Sequence, residues 1–282
     1  MSSVPTPALI AGLFDGLVDD AAIFPPGNAS LADALRAHVG YADTRYESCL
    51  ASFLVRTSLV DEMRQLADPD SLVRVGLISD TDLAGAVAAR DALQDDAWFE
   101  LVQVEMAVGA GADLRGSVEQ LIAELPFTVP TYIEVPHGID PEPAIAAIAA
   151  DGAERAKFRC GPDVVPPSDE LAQFIAHCVR HGVAFKLTAG LHHALPAPDA
   201  TTGISQHGFL NTLSATWLAI QEASINEIAG VLNSVELPAV TAVLADTDVS
   251  RLRSVYRSFG SCSIDDPVDE LFKLGLLVEE GS

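Results

Sequence analysis

Short apolar runs of strand length alternate along the chain with longer stretches in which apolar residues recur at spacings of three and four. The runs cover residues 21–25, 51–57, 73–79, 99–108, 131–136, 156–161, 183–190 and 257–264. Several intervening stretches open on recognisable starts. Ser30 with Asp33, and Ser58 with Asp61 or Glu62, read as N-caps with an acidic first turn, and Asp265-Asp266-Pro267 marks the beginning of a last helix. Strands that alternate with helices pair in parallel, and continuously apolar strands fit a sheet covered on both faces. Eight such units predict an α/β fold, a single (β/α)8 TIM-type barrel over residues 1–282. An open doubly wound sheet is the structural rival, but no Gly-x-Gly-x-x-Gly turn follows the early strands.

The alternation is least regular over residues 191–254. A polar loop at 195–206 precedes a strong helical pattern at 209–222 and two shorter ones at 226–232 and 239–244. These predict extra helices between strands seven and eight, close to the face on which a barrel carries its active site.

Charge narrows the function classes. A formal net charge of −24 opposes binding to nucleic acid or to an anionic membrane surface, so an anionic ligand must be met by a local cluster of positive groups. Cys49, Cys160, Cys178 and Cys262 are scattered without a Cys-x-x-Cys pair and read as reduced thiols. No basic segment followed by an apolar run opens the chain, and no apolar stretch approaches the roughly 18 residues of a membrane span, which makes the cytoplasm the expected location. Assembly into a homo-oligomer is compatible with this composition.

The chain has three lysines against thirteen arginines, yet Lys157 and Lys186 fall within strand runs that end in glycine. Lysine, unlike arginine, offers an amine whose pKa can move and which can react. Side chains alternate across a barrel strand, and a period of two groups Arg56 with Leu54, Gln103 with Glu105, Tyr132 with Glu134, Lys157 with Arg159 and Lys186 with Thr188. Each buried charge costs several kcal/mol unless paired, roughly speaking, so so many polar groups at strand ends point to function. A structural ion pair such as Arg56 with Glu105 would account for two of them and not for the set. Two lysines on neighbouring strands six and seven should repel, and one amine should lose its proton more readily, as a nucleophile requires.

In this respect the chain resembles class I aldolases of the deoxyribose-phosphate aldolase type. The likeness rests on the order of the two lysine strands and on Lys186-Leu187-Thr188-Ala189-Gly190. It implies that Lys157 forms the Schiff base and that Lys186 lowers its pKa. The match departs at Phe158-Arg159-Cys160-Gly161, where those aldolases carry a Thr/Ser-rich turn. The segments from Asp19 to Pro26, Phe185 to His193 and Ser258 to Ser263 are also similar to a bacterial family to which no activity is attached.

Beyond strand seven, His192 and His193 follow Gly190-Leu191, and His207 and Asn211 open the next helix. Imidazoles past a strand end suit proton transfer or, with Glu134 and His137, a divalent metal. His38, His177 and His181 lie in helical segments and read as surface or packing residues. Gly260-Ser261-Cys262-Ser263 could cradle a phosphate with help from Arg159, although Asp265 and Asp266 crowd it. The turn at 24–28 is a candidate pocket wall, with Asp19 or Asp20 at its base.

The expectation is a lyase or isomerase acting on a small anionic carbonyl metabolite, phosphorylated or carboxylated. Lys157, Lys186, Glu105 and Glu134 would be catalytic, and Arg56, Arg159, Thr188, His192, His193, His207, Asn211 and Ser261 would bind substrate. One alternative is a metal-assisted hydrolase or isomerase using Glu134 with His192, His193 and His207. A second is a non-catalytic binding barrel, which would have little use for paired lysines.

Overall fold

In the computed structural model, which describes residues 12–108, 113–161, 165–198 and 203–278, eight strands lie side by side and parallel. They are β1 (Val18–Asp20), β2 (Leu50–Arg56), β3 (Val73–Ile78), β4 (Phe99–Ala107), β5 (Thr131–Glu134), β6 (Arg155–Arg159), β7 (Phe185–Thr188) and β10 (Tyr256–Ser261). β1 pairs with both β2 and β10, so the sheet closes into an eight-stranded barrel. The remaining two strands, β8 (Ala197–Pro198) and β9 (Ser205–Gln206), form a small antiparallel ladder within the loop after β7. The fold is therefore the α/β barrel that the alternation predicts.

Two local expectations give way. The apolar run at 21–25 is not the first strand: β1 is Val18–Asp20, which carries two buried carboxylates, and the run turns away through a Phe24 N–H donated to Ala21 O. Ser58 caps no helix. It sits in a 3-10 turn, and its hydroxyl donates to Asp80 Oδ2 at 2.5 Å while helix α2 (Val60–Gln65) starts after it. Ser30 does cap α1 (Leu31–Gly40), accepting from the N–H of Asp33.

The strands' outer faces meet the surrounding helices. α5 (Glu142–Asp151) and α6 (Ser168–His181) each end on a glycine in the left-handed region, Gly152 and Gly182, which removes the Cβ penalty of that conformation. Along α6 the buried residues Leu171, Phe174, Ile175 and Cys178 form one stripe at helical spacing. Phe174 stacks on Phe158 of β6 at 4.6 Å and meets Phe185 of β7 edge-on at 5.4 Å, and Phe185 in turn meets Tyr256 of β10. Truncating a buried phenylalanine such as Phe174 to alanine costs about 3–5 kcal/mol.

α7 (Phe209–Ile220) is buried around almost its whole circumference. An apolar helix of that kind needs cover on its outer side, and the extra helices α8 (Ile225–Leu232), α9 (Leu237–Leu244) and α10 (Val249–Val255) supply it before β10. Its polar side chains are absorbed internally: Ser214 donates to Val240 O, Thr216 to Thr212 O. α11 (Asp265–Lys273) follows the last strand with Asp265 and Asp266 in its first turn, where the positive end of the helix dipole favours them.

Candidate active site

The inner face of a TIM-type barrel is usually filled by branched apolar side chains. Here its middle is ionic. Adjacent strands bring Glu134 beside Lys157 and Lys157 beside Lys186, while Glu105 is in register with Tyr132. Glu105 lies between the two amines: its Oε1 is 2.5 Å from Lys186 Nζ and its Oε2 is 2.5 Å from Lys157 Nζ. Lys157 also meets Glu134 Oε2 at 3.0 Å, and Lys186 meets Asp19 Oδ2 at 2.7 Å. Glu105, Lys186, Asp19 and Lys157 are all buried, and Glu134 is partly open.

A buried carboxylate is tolerable when its lone pairs are satisfied. Asp19 meets this condition through the Ser52 N–H and hydroxyl, the Gln103 amide and the Ser258 hydroxyl, all of which donate to it beside Lys186. Gln103 fits because β3 has a glycine opposite: a Cβ on Gly76 would stand 2.8 Å from Gln103 Nε2 and 2.6 Å from Leu54 Cδ2. Below Lys186, the Tyr132 ring presents its face at 5.4 Å, and its hydroxyl accepts from Arg155 at 2.8 Å.

Electrostatics follow from these pairings. Burial alone would raise the Glu105 carboxyl, but the ammoniums of Lys157 and Lys186 outweigh it and bring its pKa down to about 2. Burial would lower Lys186, yet the Asp19 and Glu105 carboxylates win and lift it above the ordinary lysine range. The expected repulsion between neighbouring lysines is thus answered by a carboxylate placed between them. Lys186 is held as an ammonium ion.

Above this layer a cavity of about 150 Å³ opens, lined among others by Lys157, Arg159, Thr188, His192 and Phe24. Such a volume suits a small metabolite rather than a drug-sized ligand. Arg56 stands at the strand end with its guanidinium 4.8 Å from the Phe24 ring centre, and it does not pair with Glu105. Phe24 and Pro25 wall the cavity as the rigid turn suggests. Ala189, next to Thr188, has φ of 62°, a left-handed conformation uncommon for a residue with a Cβ, and it too lines the cavity. A larger hollow of about 220 Å³ lies elsewhere, lined by residues such as Leu35, Leu66 and Trp98, and gathers no comparable set of charges.

Several residues singled out from the sequence lie away from this cavity's chemistry. His207 Nε2 is 2.8 Å from Pro166 O, and burial lowers its pKa, so it ties the loop before α7 to the start of α6. Asn211 donates to Val231 O and Ser234 O, fastening α7 to the end of α8. His193 is half exposed and faces Glu270 of α11 at 3.7 Å. Ser261 points to the outer side of its strand, where its Oγ accepts from the Ser263 N–H. His137 faces Glu170 of α6 at 3.3 Å. His192 does reach the rim, 3.8 Å from Cys262 Sγ. Glu134 and the loop imidazoles therefore do not converge: among the described residues, the only His/Cys/Asp/Glu trio with ligand atoms close enough for one ion is Glu142, His177 and His181.

Of the polar groups that complete the site, Ser52 and Ser258 were not singled out from the sequence. Ser52 shares strand parity with Leu54 and Arg56, and Ser258 shares it with Gly260, so the alternation contains the signal although a lone serine does not stand out. Asp20, adjacent to Asp19, points the other way and meets the buried His38 at 3.0 Å. No protein-family model and no curated protein matches the chain.

Proposed function

We propose that the chain is a lyase or isomerase that binds a small anionic carbonyl compound and forms an iminium with Lys157. The observation that carries this reading is the placement of one amine, Lys157, at the cavity floor between two carboxylates, with a second, wholly buried ammonium fixed beneath it. Among the described residues, Lys157 is the only lysine lining the cavity. Lys186 is enclosed and doubly paired, and in this reading it holds Glu105 in place as a positioning residue.

The proton inventory is consistent with that role. Lys157 passes a proton to Glu134, 3.0 Å away, and the freed lone pair forms the C–N bond to the substrate carbonyl. The carbonyl oxygen takes one proton from the nitrogen and one from Glu134 and departs as water, leaving a cationic iminium. Glu105 and Glu134, both beside Nζ, stabilise that cation. The iminium then accepts an electron pair from a breaking C–C bond in a lyase, the departing carbon becoming a carbonyl as its hydroxyl proton passes to the Glu134 carboxylate, or from a C–H bond whose proton leaves to the same carboxylate in an isomerase. Protonation of the enamine and addition of water restore the amine and release product. Arg159, which lines the cavity, supplies the positive charge that a carboxylate or phosphate substituent needs in a protein of net charge −24, and Arg56, over the ring of the cavity-lining Phe24, adds to it.

Borohydride trapping with small carboxylated and phosphorylated aldehydes and ketones, read by intact mass and peptide mapping, tests the reading. A stable adduct on Lys157 that disappears in Lys157→Met is expected. Absence of any adduct, or an adduct on Lys186 that persists in that variant, rejects it.

A further inference from the structure

A second cluster sits on the outside of the barrel, remote in chemistry from the lysines. His177 and His181 are four residues apart in the last two turns of α6, and so on one face of it. Glu142 belongs to the first turn of α5. His177 Nδ1 lies 3.8 Å from Glu142 Oε1, and His181 Nε2 lies 3.6 Å from the same oxygen. All three ligand atoms fall within 4.8 Å of one another.

Those separations are too long for hydrogen bonds. They approach the spacing of ligand atoms around a tetrahedral ion: bonds of about 2.0–2.1 Å place neighbouring ligands about 3.4 Å apart. Moreover, His177 Nδ1 and His181 Nε2 are both shielded from solvent, and neither has a hydrogen-bond partner among the described residues. Buried polar atoms are rarely left unpaired, and two imidazole nitrogens unpaired in the same place and aimed at one carboxylate oxygen call for a common explanation. The two rings are stacked, with centroids 6.4 Å apart and planes 22° from parallel. Arg180 Nη1, at 3.9 Å, shares the carboxylate, but its side chain is 62% exposed and free to swing into solvent.

We propose that Glu142, His177 and His181 bind a divalent transition-metal ion of the zinc class, fastening the start of α5 to the end of α6 on the barrel's outer surface. Two imidazoles and a carboxylate suit zinc, nickel or cobalt better than magnesium or calcium, which prefer all-oxygen sites. Glu142 is half exposed, so water can fill the remaining coordination position.

The test uses tag-free, full-length protein stripped with a chelator. It is titrated with Zn²⁺ by calorimetry and with Co²⁺ by visible absorption, beside His177→Ala, His181→Ala and Glu142→Gln. The expected result is one tight Zn²⁺ equivalent, a Co²⁺ ligand-field spectrum with nitrogen and oxygen ligands, and affinity weakened about tenfold or more in each variant. Circular dichroism and the metal-free melting midpoint establish that the variants are folded; if a histidine variant is not, Glu142→Gln, which alters an exposed side chain, decides. Failure of the parent protein to bind, or parent-like affinity in a folded variant, overturns the proposal. Neither result depends on Lys157 chemistry.

Discussion

Glu105 and Lys186 face each other across the barrel axis from β4 and β7, with Oε1 and Nζ 2.5 Å apart and neither side chain exposed to solvent. The pair does more than neutralise two charges. Glu105 spends its other oxygen on Lys157, and Lys186 its remaining reach on Asp19, so a chain of alternating charge runs from β1 to the cavity floor.

Removing the enclosed ammonium should be the most damaging single change in that chain. Lys186→Met leaves Asp19 and Glu105 buried without their counter-ion, and breaking such a pair costs about 3–5 kcal/mol. Urea denaturation at pH 7 measures it. A loss below about 1 kcal/mol would mean that water reaches the barrel centre.

Acid stability should report on Glu105. Its pKa falls from 4.5 in the unfolded chain to about 2 in the fold, so the fold binds its proton later and the carboxylate contributes stability above pH 4.5 that is lost as pH drops through about 2. Lys186 acts at the opposite end: its raised pKa gives stability that is complete below 10.5 and declines as pH rises through its folded value. Urea midpoints between pH 5 and 2 should decline less steeply in Glu105→Gln than in the parent. Parallel slopes would contradict the assignment.

Arg159 should select for charge rather than for the carbonyl itself. A charge-assisted hydrogen bond of about 1.5–3 kcal/mol corresponds to roughly 10–100-fold in affinity. Arg159→Ala is expected to slow borohydride trapping of a carboxylated aldehyde by that factor and to leave a neutral aldehyde of similar size nearly unchanged. Equal effects on both would assign Arg159 to architecture.

Asn211 provides the contrasting case. Its amide satisfies two carbonyls at the end of α8, so Asn211→Ala should lower stability by about 1–3 kcal/mol while the rate of adduct formation at Lys157 stays at the parent value. Thermal melting and trapping on the same sample read both quantities. A trapping defect without a stability defect would return Asn211 to the substrate site.

Much of this arrangement is legible in the alternation of side chains along single strands. Lys157 with Arg159, and Lys186 with Thr188, do share the inward face that a period of two assigns them. The period fails where the ladder is irregular. In β4 the register slips between Leu101 and Gln103, so Phe99 packs in the outer core while Gln103 and Glu105, of the same parity, point inward. β1 was hidden for a different reason: its buried carboxylates look polar until Ser52, Gln103, Ser258 and Lys186 are seen to satisfy one of them and His38 the other.

The histidines divide along the same line. His192 and His193 are adjacent in the chain, yet the turn sends one to the cavity rim and the other towards α11. His177 and His181 read as packing residues on a helix, and their four-residue spacing acquires meaning only because Glu142 arrives from α5.

Local order set the strands, the helices and the parallel barrel, because hydrophobic period and capping act over a few residues and the alternation leaves few ways to bury every strand. Which charges meet was settled by closure of the barrel. Asp19, Glu105, Lys157 and Lys186 come from four strands separated by up to 167 positions in the chain, and attraction between them exists only once the fold has brought their atoms within about 3 Å and excluded the water that would otherwise screen them.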